Sequence, residues 1–486
     1  MARIVVLGAG IAGHTAALVA RRNLPAEHEV IVVSPKPTYN WIPSNIWVGV
    51  GRMPAESVVV ELAPVYARLG ITFIQAAATT LHPEGSDEHA GPFVDVVRTD
   101  PAGEGRAERV AYDWLINATG PRLRFDRTPG LGPETGHTES VCTDHHAVRA
   151  AAALAAGIER LKRGERLTFV VGTGHGTCTC EGAAFEYVFN VEHELRRAGV
   201  RDRAELVFLT NEAKLGDFGV DGMLLKSGGF LTPSHVFASS LYLERGVRAI
   251  LGAHVQKIEP GVITYEQLDG TVHTQAFDFA MLLPPFSGVG LGAVGRDGRD
   301  LGPALFSPAG FMKVDADYTE RPYEEWRAAD WPRTYQNPTF RNLFAVGIAF
   351  APPHAISRPR KSPQGTVIAP APPRTGMPSA VMARAVAESV VDLVLGRSTT
   401  PTRTASMTDM GAACVASAGH GWFGGTAAAM TMYPIVPDLE RFPVGGRDPE
   451  LTFGEVGAAG HWIKVVLHYM FMWKARANPL WWLIPE

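Results

Sequence analysis

Two strand–glycine-turn–helix units, at residues 4–33 and 167–210, and an aromatic tail at 461–484 predict the fold class. It is α/β: two Rossmann-like dinucleotide-binding domains, the first discontinuous, followed by a C-terminal membrane-associating region. The expected boundaries are 1–145 for the first part of the first domain, 146–284 for the second, degenerate domain, 285–400 for the return to the first, and 401–486 for the tail region. A chain of 486 residues suits this division into a few units. With 46% hydrophobic and 19% charged residues it has ample material for a core. A net charge of -4 provides no basic field, so nucleic acid is not an expected partner.

The first unit opens with the apolar run 4–7, turns through Gly8, Gly10 and Gly13, continues as a helix over 14–22 and returns as the strand 30–33. Gly8 permits the turn, Gly10 lets a pyrophosphate approach the backbone, and Gly13 lets the helix lie close to the strand. The helix start then offers amide hydrogens and a positive dipole end to phosphate. Ser34 stands where an acid would normally hold a ribose, which favours FAD over NAD at this site. The strand 115–118 runs into Thr119-Gly120, and the strand 344–346 into Gly347. In two-dinucleotide-domain flavoproteins such segments return the chain to the FAD domain and place Gly347 near the pyrophosphate. The Pro-rich stretch 351–373 reads as a surface loop. Thr375 and Gly376 then open an apolar helix at Met377-Pro378 that ends near Gly396. Gly8, Gly10, Gly13, Ser34, Thr119, Gly120, Gly347, Thr375 and Gly376 are the residues expected to bind FAD.

The second unit keeps the shape and loses the ligand. Its strand (167–171) leads into the turn 172–178, a helix over 182–197 and a strand over 205–210. Cys178 and Cys180 occupy the place where a pyridine-nucleotide site keeps glycines for close backbone approach. Four cysteines are too few for a secreted disulfide scaffold. The Cys178-x-Cys180 spacing is too tight for a zinc knuckle and has no second pair, so no metal is expected. The apolar run 4–7 is too short for a signal peptide, and no run of 18 apolar residues suggests a transmembrane helix. Cys180 lies just before a helix, whose dipole favours a thiolate. On the residues alone, Cys180 and Cys414 are either redox groups or buried hydrophobic thiols.

Longer motifs narrow this choice. They are residues 40–51 (NWIPSNIWVGVG), Ala118-Thr119-Gly120-Pro121 with Val141-Cys142-Thr143-Asp144-His145-His146-Ala147, Cys180-Glu181-Gly182-Ala183-Ala184-Phe185-Glu186, and Cys414-Val415-Ala416-Ser417-Ala418-Gly419. Together they resemble bacterial sulfide:quinone oxidoreductases through most of the chain. The resemblance implies that Cys180 and Cys414 flank the flavin as a disulfide or sulfur-bridged pair. Sulfide would open the bridge, electrons would pass through the flavin to a membrane quinone, and zero-valent sulfur or polysulfide would leave. It implies a supporting part for Cys142, which simple burial also explains, and polar parts near the cysteines for Glu186 and His146. By helical counting Glu186 does not share a face with Cys180, so it reads equally as a surface carboxylate. Asp217 is a departure, standing where the family often has His. Cys178 has no counterpart.

In the tail, residues 461–474 (HWIKVVLHYMFMWK) are apolar and aromatic, with Lys464 and His468 four apart on one polar strip, and Trp481 and Trp482 follow. Trp and basic residues around a helix too short to span describe a monotopic anchor on a lipid bilayer surface. A helix buried against the body or a partner subunit has the same composition. Peripheral attachment to the cell membrane and a homo-oligomer are expected. Two competing functions remain: a type II NADH:quinone oxidoreductase-like enzyme, and the flavoprotein subunit of a sulfide dehydrogenase.

Overall fold

The apolar run after Ala2 becomes a central strand of a large sheet, and the chain builds outward on both sides of it. The computed structural model describes residues 1–179, 181–374 and 376–486. β1 (Arg3–Leu7) passes through the first glycine turn into α1 (Ile11–Asn23), and β2 (Glu29–Ser34) pairs parallel with β1. β3 (Thr72–His82) adds parallel to β2, and β4 (Phe93–Arg98) and β5 (Ala107–Ala111) extend that edge antiparallel. β6 (Trp114–Asn117) pairs parallel on the other side of β1. Ile4 to Leu7 and Val30 to Val33 are buried throughout. Unbroken burial is what a parallel sheet covered on both faces requires, and it explains runs of β-branched residues without alternation.

α2 (Asp144–Lys162) starts at Thr143, whose Oγ1 accepts from the His146 amide at 3.2 Å as an N-cap. It leads to the second sheet: β7 (Leu167–Thr173), α3 (Glu181–Arg197), β8 (Ala204–Leu209), β9 (Val247–Ile250) and β10 (Phe279–Leu283). Its strands are all parallel, in the order β9-β8-β7-β10. β11 (Leu343–Ala345) then pairs with β6, so the first sheet is completed by chain from beyond the second one. α4 (Met377–Val394) packs along α1.

The last unit is an antiparallel sheet of β12 (Ala412–Ala418), β13 (Thr426–Met432) and β14 (Gly454–Gly457), with α5 (Ala458–Ala475) laid on it. α5 is amphipathic the reverse way round. His461, Lys464 and His468 point inward and are buried, while Trp462, Ile463, Val466, Tyr469 and Trp473 are exposed. Lys464 and His468 do share one strip, as their spacing predicts, but it faces the protein instead of water. The His14 ring of α1 bonds the Ala475 carbonyl at 2.9 Å and ties the end of α5 to the first domain. No described helix is long and apolar enough to cross a membrane.

Candidate active site

Gly10 occupies the N-cap of α1 without a side-chain cap, and a Cβ added there would meet nothing within 4 Å. The first-turn amides therefore open outward, the arrangement that helix starts use for anions. Gly8 and Gly13 are glycine for the opposite reason. A Cβ on Gly13 would lie 1.9 Å from the Gly8 carbonyl oxygen, and one on Gly8 would lie 2.3 Å from that of Ala118. Gly347 (φ +64°) abuts the same place: its Cβ would lie 3.1 Å both from Ala12 Cβ and from Ser379 Oγ. Ala12 and Ser379 sit in the first turns of α1 and α4, so two helix N-termini converge there. Gly376 is the uncapped N-cap of α4. The amide and Oγ1 of Thr119 donate to Asn117 Oδ1 at 3.2 and 2.8 Å, which fixes the turn into Gly120. Ser34 is buried at the end of β2. Thr375 lies outside the described residues.

The second glycine turn is filled by protein. A Cβ on Gly174 would lie 2.5 Å from Leu131, and one on Gly176 would lie 2.7 Å from the Val367 carbonyl and 2.9 Å from His254 Nδ1. The amides of Ala369 and Ala371 donate to the carbonyls of Gly176 and Cys178, both at 2.8 Å. Asn211 Nδ2 donates to the same two carbonyls at 3.3 and 3.2 Å. The Pro-rich stretch is only in part the surface loop its composition predicts, exposed over 358–361 and 363–365. Its part around 367–372 is a strap across the turn, with Ile368 and Ala369 buried. Proline supplies extended backbone with few donors, and a strap held by two amides needs few.

The sulfur side is built on α3 and β12. Cys414 is half-buried on β12, and its Sγ lies 3.0 Å from where a Cβ on Gly182 would stand, over the first turn of α3. Cys180 itself lies outside the described residues. Burial, then the nearby Glu186, push the Cys414 thiol up to about 12, and Lys464 opposes them. Glu186 is not the surface carboxylate that counting allows: it is 5% exposed. Its Oε1 accepts from the Ser417 amide at 3.2 Å and from Ser417 Oγ at 2.5 Å, and its Oε2 from Lys464 Nζ at 2.7 Å. Trp47, fully buried, donates from Nε1 to Ser417 Oγ at 3.2 Å and the Gly419 carbonyl at 3.1 Å. Cys178 is fully buried and donates to the Leu283 carbonyl at 3.1 Å. Burial pushes the Cys142 thiol up to about 11. His146 is buried with Nε2 3.3 Å from Glu134 Oε1. Burial, then His145, lower it to about 4 against the pull of Glu134.

Residues 2–199 match the pyridine nucleotide-disulphide oxidoreductase family. Over 478 residues the chain is 27% identical to the sulfide-quinone reductase of Aquifex aeolicus (strain VF5), covering 97% of this chain and 91% of that protein. The X-ray structure of the sulfide:quinone oxidoreductase from that hyperthermophilic bacterium matches with a TM-score of 0.75 at 27% identity, over 98% of this chain and 92% of that one. Over nearly its whole length the chain is thus similar to sulfide:quinone oxidoreductases. NDH2 from Plasmodium falciparum shares the fold at a TM-score of 0.60 and 12% identity, over 98% of this chain and 96% of that one.

FAD is the cofactor, and the first site fits it. The open approach at Gly10 and the two converging helix starts suit a pyrophosphate. Gly13→Ala is expected to abolish flavin retention, because its Cβ would collide with backbone that cannot move without opening the turn. Gly91→Ala, whose Cβ meets nothing within 4 Å, should purify yellow as before. The ratio of flavin to protein absorbance measures both, and a yellow Gly13→Ala would count against this site.

Among the described residues, the structure brings together Cys414, Glu186 and the start of α3. Cys142 and His146 sit instead at the start of α2, where His146 faces Glu134 and Phe125. Sequence reasoning missed Lys464, Ser417 and Trp47 as neighbours of Glu186. Trp47 and Ser417 lie inside the motifs quoted above, and Lys464 was marked by its spacing.

Proposed function

We propose that the chain oxidises sulfide to zero-valent sulfur or polysulfide through Cys180 and Cys414 and delivers the electrons to a membrane quinone. The observation that carries this reading is Cys414 Sγ over the first turn of α3, two residues past Cys180 in sequence. Attack of HS⁻ on a sulfur bridge between the two cysteines forms one S–S bond and breaks another, leaving a persulfide on one and a thiolate on the other. When bound, FAD supplies the two-electron carrier between this sulfur centre and the quinone. Lys464 offsets the pull of Glu186 on Cys414, and Glu186 anchors Ser417 and Lys464 beneath it. The strap across the second glycine turn counts against a type II NADH dehydrogenase. Anaerobic stopped-flow mixing tests the choice: sulfide should bleach the flavin rapidly and NADH should not. Rapid bleaching by NADH with none by sulfide would reverse it.

The outward face of α5 supports lipid attachment. Trp422 stacks on Tyr469 with centroids 6.1 Å apart, Trp462 Nε1 donates to the Trp422 carbonyl at 2.9 Å, and Phe423 is 90% exposed beside them. Burying a large apolar side chain in lipid contributes about 1.5–3 kcal/mol. Trp462→Glu with Phe423→Glu should therefore weaken sedimentation with phospholipid vesicles by more than about 100-fold. Reduction of a short-chain, water-soluble quinone should persist. Unchanged sedimentation would mean that this face serves another purpose.

A further inference from the structure

Beneath the start of α3 lies a group of acids that the roles above do not use. Glu181 is 0% exposed, and neither carboxylate oxygen has a hydrogen-bond partner among the described residues. The Asn211 amide stands close enough to temper its ionisation, but that amide is already engaged with the Gly176 and Cys178 carbonyls. Glu212, just past β8, is 1% exposed and accepts from Thr210 Oγ1 at 3.0 Å and the Phe218 amide at 2.9 Å. Asp217 is half-buried and accepts from the Gly219 amide at 3.0 Å and from Ser357 Oγ. Ser357 Oγ also accepts from the amide of exposed Asp221, at 3.1 Å. Tyr242 Oη and Asn211 Oδ1 are likewise buried without partners. Orphaned buried polar atoms are rare, and each of these calls for an explanation.

Exposure grows from Glu181 in the first turn of α3, which Cys414 Sγ overlies, to Asp221 at the surface. Glu181 acts electrostatically on Cys178, Glu212 acts on Cys414, and Tyr242 feels both Glu212 and Cys414. Glu186 with Lys464 stands on the Cys414 side, and Tyr323 and buried Arg447 face Asp217 and Asp221 at the outer end. Burial, then Glu212 and Asp217, hold Glu181 well above the carboxylate range. Burial, then Asp217, raise Glu212 to about 8, and burial raises Asp217 to about 6. All three acids thus hold a proton more tightly than an exposed carboxylate does.

Resting on the sulfide reading, we propose that Glu181, Glu212 and Asp217 form a proton relay from the cysteine centre to solvent beside Asp221. Oxidation of HS⁻ to zero-valent sulfur releases two electrons and one proton. The electrons take the flavin route to quinone. The proton enters at Glu181 as the one already there passes to Glu212, and a second hop through Asp217 returns one proton to water. Glu186 does not serve, because both its oxygens are held by Ser417 and Lys464.

Glu181→Gln keeps the shape of the protonated acid and removes its exchangeable proton. Sulfide-driven flavin reduction is expected to slow about tenfold or more, with FAD content and dithionite reduction unchanged. In the wild type the rate should fall as pH drops through the Asp217 midpoint of about 6, where the outlet stays protonated. That limb, and the slowing in D₂O, should vanish in Glu181→Gln and in Asp217→Asn. Glu181→Asp should restore part of both. Infrared spectra of the resting protein should show a buried protonated carboxyl band that is lost or reduced in Glu181→Gln. A sulfide-bleached Glu181→Gln with the wild-type rate, pH profile and infrared band overturns the relay alone. A wild type that sulfide does not bleach overturns the sulfide reading, and the relay with it.

Discussion

Cys414→Ser should abolish sulfide-driven flavin reduction while the protein stays folded and yellow. A serine hydroxyl forms no sulfur bridge and is a poor nucleophile without an adjacent base. Glu186, whose charge acts on Cys414, is already committed to Ser417 and Lys464. The loss should be about 10³-fold or more, the scale on which removal of a reacting nucleophile is felt. Cys180→Ser should behave alike. Cys178→Ser should be mild, since its Sγ donates to the Leu283 carbonyl and a hydroxyl can do the same. Cys142→Ser should fall between. Stopped-flow bleaching by sulfide, with dithionite as the control for intact cofactor, reads all four. Wild-type bleaching in both Cys180→Ser and Cys414→Ser would make the cysteines structural and end the sulfide reading.

Lys464→Met should cost about 3–5 kcal/mol, the usual penalty for leaving one member of a buried ion pair alone. The pair is well shielded, with side-chain exposures of 11% for Lys464 and 7% for Glu186. The partner double variant Lys464→Met with Glu186→Gln should recover most of that loss, because no uncompensated charge remains. Lys464→Met should also raise the Cys414 thiol further, since the cation that opposes Glu186 is gone. Thiolate-dependent bleaching should then move to higher pH. Thermal unfolding and hydrogen exchange of α5 measure the first effect, and the pH profile the second. Equal stability of Lys464→Met and wild type would show that the pair contributes little.

The glycine turn, the strands 4–7 and 30–33 and the returning strand at β11 were legible because local geometry dictates them. Gly8 and Gly13 have no room for a side chain, and a buried parallel strand must be apolar on both faces. The motif singled out position 414, although the helix start that its sulfur overlies was not legible. Three features were hidden for physical reasons. Spacing tells which residues of α5 share a face, but not which face turns inward. Prolines at 370, 372 and 373 describe an extended chain equally well on a surface and across a closed turn. An acid opening a helix, such as Glu181, normally reads as a dipole-favoured surface charge. Its burial depends on β8 and β12, which arrive from elsewhere in the chain.

The reversed polarity of α5 bears on how a detergent-free form of this protein could be engineered. Cutting the chain before His461 would remove Lys464 from Glu186 and His468 from Ser44 Oγ, which it meets at 2.9 Å. Loss of turnover in such a truncation would then say nothing about lipid, because the proposed attachment and the Lys464–Glu186 pair lie on one helix. The proposed attachment is separated from that pair by resurfacing instead, with the outward aromatics of α5 and the 422–423 loop exchanged for polar residues and every inward side chain kept.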